Sequence, residues 1–355
     1  MAKNRWIYPA KQDKFRFTAA MYIISLAAMI QLFLYDNLFF IIYRTVYNSI
    51  VFYNNSFLYS LQPEQIEEIH NIIVNVAMIL TTVTISSITG AFIILCMKRF
   101  APVSDYNNNK TENKNNNISF KRFKLPKNAP VLIAVGLCIF EFSVFAYNAF
   151  DYYILYGIFG VESYALSDAF FPQTVMGFIW YFIAVVTAPA IFEEFVFRYA
   201  MLNSLKKYGN AFAITVTSLL FGFTHARMSA FVYATAIGFF MGYIAVKTKS
   251  IWFPVLLHMA VNGTSLAFQY FSVRHIWEAA VLNIIYFAFL SFISAVSFIY
   301  LIYLIIKKKK TVLSVPANYI HISKRRKLLL FFNAASVIFF LYAVISGLEE
   351  YGLRI

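Results

Sequence analysis

Long apolar runs separated by short polar segments recur from residue 17 almost to the C-terminus. Nine runs stand out, at roughly 17–43, 71–97, 129–149, 174–205, 210–227, 229–246, 251–271, 277–306 and 328–347. About 20 apolar residues suffice for a helix to cross the hydrocarbon core of a bilayer. Helices and closed barrels are the structures that satisfy every backbone polar group there, and runs of this length select the helix. The pattern therefore predicts an all-α, polytopic transmembrane helix bundle of about nine spans.

Composition points the same way: 61% of the residues are hydrophobic and 13% are charged, against about 25% charged in a typical soluble domain. The first run is followed by no small-residue cleavage site, so it is expected to stay as an anchor. Cys96 and Cys138 both fall in apolar runs and read as small packing residues rather than a disulfide pair. The net charge of +14 does not indicate nucleic acid, because the basic residues lie in short blocks between runs, where they set topology and meet anionic lipid headgroups.

Lys3 to Arg16 precede the first run, and Lys98 to Lys127 separate the second and third. Lys206 and Lys207 follow the fourth, Lys247 and Lys249 the sixth, and Lys307–Lys310 and Lys324–Lys327 bracket the loop before the last. With alternating spans, all of these fall on one side, leaving Arg44, Arg227, Arg274 and Arg354 on the other. That asymmetry predicts a cytoplasmic N-terminus. The chain divides into 1–128 (two spans and a basic, Asn-rich loop), 129–275 (a core of helices) and 276–355 (two more spans). Residues 44–70 are expected at the outer interface, 150–173 as a similar segment or a re-entrant loop, and 98–128 as a mobile, solvated loop.

Ionisable residues inside a span are costly and by default mark function. The fourth run holds Glu193, Glu194 and Arg198, the fifth ends at Phe221-Gly222-Phe223-Thr224-His225, and the seventh holds His258 and Asn262. At about 1.5 Å per residue, Glu193 lies roughly 20 Å from Lys206, His225 roughly 22 Å from Asn210 and His258 roughly 14 Å from Lys249. All three fall near mid-membrane from the same face. Glu194 and Arg198 share a helix face, as do His258 and Asn262, whereas Glu193 points elsewhere. Pro189, one turn earlier, is expected to kink the helix. Glu141 lies at similar depth and either counters Arg198, lines the cavity or faces a polar residue of the first or second span. His70, His275 and His321 are expected to be solvated.

Glu-Glu-x-x-x-Arg, then Phe-x-x-x-His, then His-x-x-x-Asn resembles the three-motif signature of the CPBP family, which includes CAAX prenyl endopeptidases and bacterial Abi-type intramembrane proteases. The resemblance covers about residues 174–270. It implies that Glu193 activates water with help from His225, that His258 and Asn262 stabilise the oxyanion, and that Glu194 and Arg198 hold the base. The chemistry is coherent in its own right, since donors aimed at a developing oxyanion contribute most in a dry site. A carboxylate and two imidazoles, here Glu193, His225 and His258, also make a familiar set for catalytic Zn2+. No H-E-x-x-H occurs, and both metal-dependent and glutamate-only mechanisms stay open.

The resulting expectation is an intramembrane endopeptidase acting on a membrane protein or peptide, with the bilayer and not nucleic acid as its other partner. Abundant Asn, Lys, Ile and Phe suggest an AT-rich bacterial genome and a plasma-membrane location, where prenylated substrates are not expected. Two rival readings are a non-catalytic Abi-type scaffold and an ion- or proton-coupled transporter. The topology is testable: in a background lacking Cys96 and Cys138, Asn108→Cys and Gly352→Cys should react with an impermeant thiol reagent from opposite sides of the membrane. Labelling from one side would show that the span count is wrong by one.

Overall fold

The computed structural model describes residues 11–53, 60–101, 117–121 (with 123 and 126), 128–160, 171–172, 174–273, 277–308, 320 and 322–348, save Arg122. Among them the chain is built of helices: α1 (Lys11–Tyr53), α2 (Pro63–Phe100), α3 (Ala129–Phe159), α4 (Val175–Tyr208), α5 (Asn210–Phe223), α6 (Met228–Thr248), α7 (Trp252–Val273), α8 (Trp277–Lys308), α9 (Lys324–Phe331) and α10 (Ala334–Leu348). Each expected span contains a helix. Five described helices are long and apolar enough to cross a membrane, or six if α9 and α10, bent by 52° at their junction, count as one. The expected nine therefore exceeds what length and composition alone establish. The clearest departure is α5. Its 14 residues span about 21 Å at 1.5 Å per residue, short of the ~30 Å hydrocarbon core.

Side-chain contacts fix the directions. α1 and α2 run antiparallel, with Gln31 donating to Ser86 at 3.3 Å and Tyr35 bonded to Thr82 at 3.2 Å. Towards the far ends of these helices, Tyr43 reaches His70 at 3.4 Å and Tyr47 packs edge-on against it. His70 is thus engaged by aromatic rings rather than simply solvated. α2 and α4 run parallel, from Glu68 bonded to Thr174 at one end to Lys207 Nζ donating to Ala101 O at 2.8 Å at the other. α1 and the α9–α10 pair also run parallel: Arg326 donates to Lys14 O and Thr18, Asn333 to Ser25 at 2.9 Å, and Phe33 meets Tyr342. One apolar core joins α1 to α7 and α10.

These directions gather the basic segments at one end of the bundle, as their spacing predicts. The loop before α3 is not wholly solvated there. Ile118 is buried and exchanges two hydrogen bonds with Asn203, at 2.9 and 3.0 Å, while Ser119 forms an isolated β-bridge with Ser250 and Trp252 Nε1 donates to Phe120 O at 2.7 Å. A buried apolar side chain flanked by satisfied backbone groups docks this stretch; residues 102–116 lie outside the described set. The segment after residue 149 is likewise more ordered than a simple loop. α3 continues through a widened π turn at Asp151–Tyr156 to Phe159, and Phe171 packs on Tyr181 and Tyr270; residues 161–170 lie outside the described set. Residues 44–53, expected at the interface, complete α1.

α5 and α6 form a tight hairpin. A Cβ at Gly222 would lie 2.0 Å from Thr235 Oγ1 and 3.0 Å from Phe231 O, so only glycine permits this approach, as is common between membrane helices. The short α5 places the hairpin turn, Thr224–Arg227, about two thirds of the way through a full crossing. His225 is in that turn.

Candidate active site

α4 supplies two glutamates and an arginine from an unusual backbone. Its α-helical stretch Ala188–Glu194 is flanked by π-helical turns at Ile183–Thr187 and Phe195–Leu202. Such turns carry an extra residue, re-aim side chains and are frequent at functional sites. Pro189 has no N–H for the carbonyl four residues back, which belongs to Val185. Asn262 of α7 donates to that oxygen at 3.1 Å. The irregularity expected from Pro189 thus supplies the acceptor that ties α7 to α4.

Glu194 and Arg198 form the expected pair, with Nε 3.1 Å from Oε2 and side chains 0% and 1% exposed. The N–H does not point along this line, and neither atom makes a directed hydrogen bond among the described residues; the attraction is that of two charges. The guanidinium also lies 4.7 Å from the centre of the Phe221 ring, a cation–π contact. Glu194 has a second role that its place in the sequence does not reveal: its Oε1 lies 3.2 Å from His258 Nδ1. A carboxylate accepts, so Nδ1 carries the proton and Nε2 is turned the other way. Nε2 lies 4.0 Å from Glu193 Oε2.

Glu193 differs from its neighbour. Its side chain is 24% exposed, yet Oε2 is buried without a hydrogen-bond partner among the described residues. One carboxylate is thus locked between a guanidinium and an imidazole, while the next has an oxygen turned to the cluster and a path outward. His225 joins them from the α5–α6 turn. Its Nδ1 is 2.9 Å from Phe221 O; a carbonyl only accepts, so Nδ1 is again the protonated nitrogen and Nε2 keeps its lone pair. His225 interacts electrostatically with both Glu193 and His258. The ring of Phe221 sits among these groups, edge-on to His225 at 5.0 Å, to His258 at 5.7 Å and to Phe197 at 5.0 Å. Of the motif residues, Phe221 is the one to which sequence reasoning gave no role.

Glu141 is not part of this arrangement. Its partner is on neither of the first two spans but on α8, where Ser291 donates to Oε2 at 3.4 Å. His275 and His321 lie outside the described residues. Among the described residues no three His, Cys, Asp or Glu side chains are grouped closely enough to hold a metal ion. Glu193, His225 and His258 as placed are not among any such group, although an Nδ1 held by an acceptor, as in both imidazoles, leaves Nε2 as the free ligand atom.

The buried pair yields a direct test. Arg198→Ala would leave Glu194 charged in a low-dielectric core, and breaking a buried pair costs about 3–5 kcal/mol. The variant should accumulate poorly in membranes and melt at lower temperature in detergent, by immunoblot and thermal-shift measurement. Normal abundance and melting would show that Glu194 and Arg198 do not hold the fold together.

Residues 175–264 match the family model described as Type II CAAX prenyl endopeptidase Rce1-like. That stretch contains the two glutamates, Arg198, both histidines and Asn262. A Bacillus subtilis (strain 168) protein named "Putative membrane peptidase YdiL" is 33% identical over 89 residues, which are 25% of this chain and 36% of that protein. The match thus spans about a third of the relative's length. No solved structure matches. Family model and relative agree with the three-motif resemblance, and residues 175–264 are similar to the membrane proteases of the CPBP family.

Proposed function

We propose that the protein is an intramembrane endopeptidase in which Glu193 activates water against a peptide carbonyl. The observation that carries this reading is the array Glu194–His258–Glu193. A buried carboxylate fixes one nitrogen of the imidazole, and the other nitrogen faces a second, partly open carboxylate across 4.0 Å. That gap is too long for a direct bond and suits a bridging water.

In the proposed reaction Glu193 takes a proton from water as the water oxygen bonds to the scissile carbonyl carbon, and the carbonyl π electrons move to the carbonyl oxygen. His225, with its Nε2 lone pair, helps orient the water. Asn262 stabilises the oxyanion with the second N–H of its amide, besides the one given to Val185 O, and His258 does so as the imidazolium, which carries a proton on Nε2 as well as the one on Nδ1 that faces Glu194. Collapse of the tetrahedral intermediate breaks the C–N bond, and Glu193 returns the proton to the departing amine. Glu194 and Arg198 hold His258 in register. The substrate is a membrane-associated protein or peptide, and the basic end of the bundle faces the cytoplasm.

The test compares peptides released from membranes of cells carrying the wild-type protein and Glu193→Gln. Loss of a general base costs about 10²–10⁴ in rate, and Glu193→Gln strands no buried cation, so abundance should be unchanged. An active Glu193→Gln protein would remove Glu193 from the role of base. Cleavage by the purified protein should survive exhaustive chelation. Loss on chelation with recovery on adding Zn2+ would instead place a metal on Glu193, His225 and His258.

A further inference from the structure

We infer that α10, which lies outside the matched residues 175–264, is a positioning element for His225. The inference rests on the proposed role of His225 in catalysis, but its structural half stands apart from that role.

The turn after α5 is irregular backbone. Thr224 N bonds to Leu220 O at 3.0 Å, His225 N to Gly222 O and Ala226 N to Phe223 O, both at 3.2 Å. Ala226 then has φ of 51°, a left-handed conformation that a residue with a Cβ rarely adopts and that needs surrounding contacts to persist. Because α5 is short, the turn lies deeper than a full span would place it. Non-helical backbone at membrane depth is tolerated where protein covers it. The covering element is α10. A Cβ built on Gly347 would lie 3.2 Å from Ala226 O and 3.9 Å from Arg227 Cα, so α10 passes this close because residue 347 has no side chain. One residue before the turn proper, Phe223 packs on Phe340 with the rings tilted and centroids 4.7 Å apart, and meets Phe339 edge-on at 6.2 Å. α10 therefore grips both sides of His225, through Phe223 before it and Ala226 after it. In turn α10 is fixed by Asn333, whose Oδ1 accepts from Ala335 N and Ser336 N and whose Nδ2 reaches Ser25.

A bulkier residue at position 347 should push the turn and tilt the imidazole, leaving Glu193, Glu194 and His258 in place. The full-length protein in lipid nanodiscs, labelled with 13C-histidine, has five histidines, and His225→Gln identifies the His225 signal. In Gly347→Val that signal and its pH titration midpoint should move while the His258 signal stays. Peptide cleavage should fall about tenfold in kcat with KM within about twofold, the mark of a displaced group rather than lost binding. Gly347→Ala should give a smaller shift of the same kind, and it serves as the test if the valine variant does not accumulate. An unmoved His225 signal in an abundant variant would overturn the inference, as would equal movement of every histidine signal. A moved His225 signal in a wild-type background without peptidase activity would sustain the positioning role and sink the protease reading instead.

Discussion

Two charges buried in one helix set the terms for everything around them. Glu194 and Arg198 are excluded from solvent in a chain whose surroundings are hydrocarbon, and neither can be left alone there at tolerable cost. Their mutual attraction is not sufficient: Arg198 also leans on the face of Phe221, and Glu194 also holds His258. Each added partner belongs to a different helix. The pair on α4 thus dictates where α5 and α7 must sit, and the requirement to satisfy charge assembles the cluster. The histidine fixed by Glu194 is the one turned towards Glu193, so the interaction that stabilises the core also selects the ring nitrogen offered to the site.

The backbone contributes by being irregular at chosen places. α4 departs from regular winding on both sides of its glutamates, and Pro189 leaves the Val185 carbonyl to be taken by Asn262. α5 stops short, and its turn holds Ala226 in a left-handed conformation that costs roughly 1–2 kcal/mol for a residue with a side chain. A fully regular bundle would present its side chains at fixed 100° steps and bury its turns in headgroups. Here the wide turns re-aim side chains, and the short helix leaves His225 within reach of groups at the centre of α4 and α7.

Much of this was legible in the sequence where a periodic rule applies. Apolar runs located the helices, one-sided basic blocks gave the shared end of the bundle, and the i, i+4 spacing gave Glu194–Arg198. Equal depth from shared loops brought Glu193, His225 and His258 together. What periodicity does not encode is contact between helices. The bond from Glu194 to His258 depends on the relative rotation of α4 and α7, and Phe221 counts as one apolar residue among many until four groups are found around its ring. The docking of Ile118 and Ser119 was hidden because an Asn-rich stretch looks solvated along its whole length, although its last residues pair with Asn203 and Ser250. The partner of Glu141, Ser291 of α8, was hidden for the same reason: similar depth places a residue in a layer, not on a face.

Adjacent identical residues with opposite surroundings are the most informative feature of the site. Glu193 and Glu194 differ by one step of about 100° around α4. That rotation carries one carboxylate into a closed contact with Arg198 and His258, and leaves the other partly exposed with a buried oxygen unbonded among the described residues. A scaffold would gain nothing from the second carboxylate at this depth, where an unpaired charge is a standing cost. A protease would, because a base must be free to accept a proton and near a group that shares it. The first glutamate is costly to keep and the second makes it usable. Since both lie on one short α-helical stretch between two widened turns, neither can move without the other, and the buried carboxylate and the one proposed as base are set by the same seven residues.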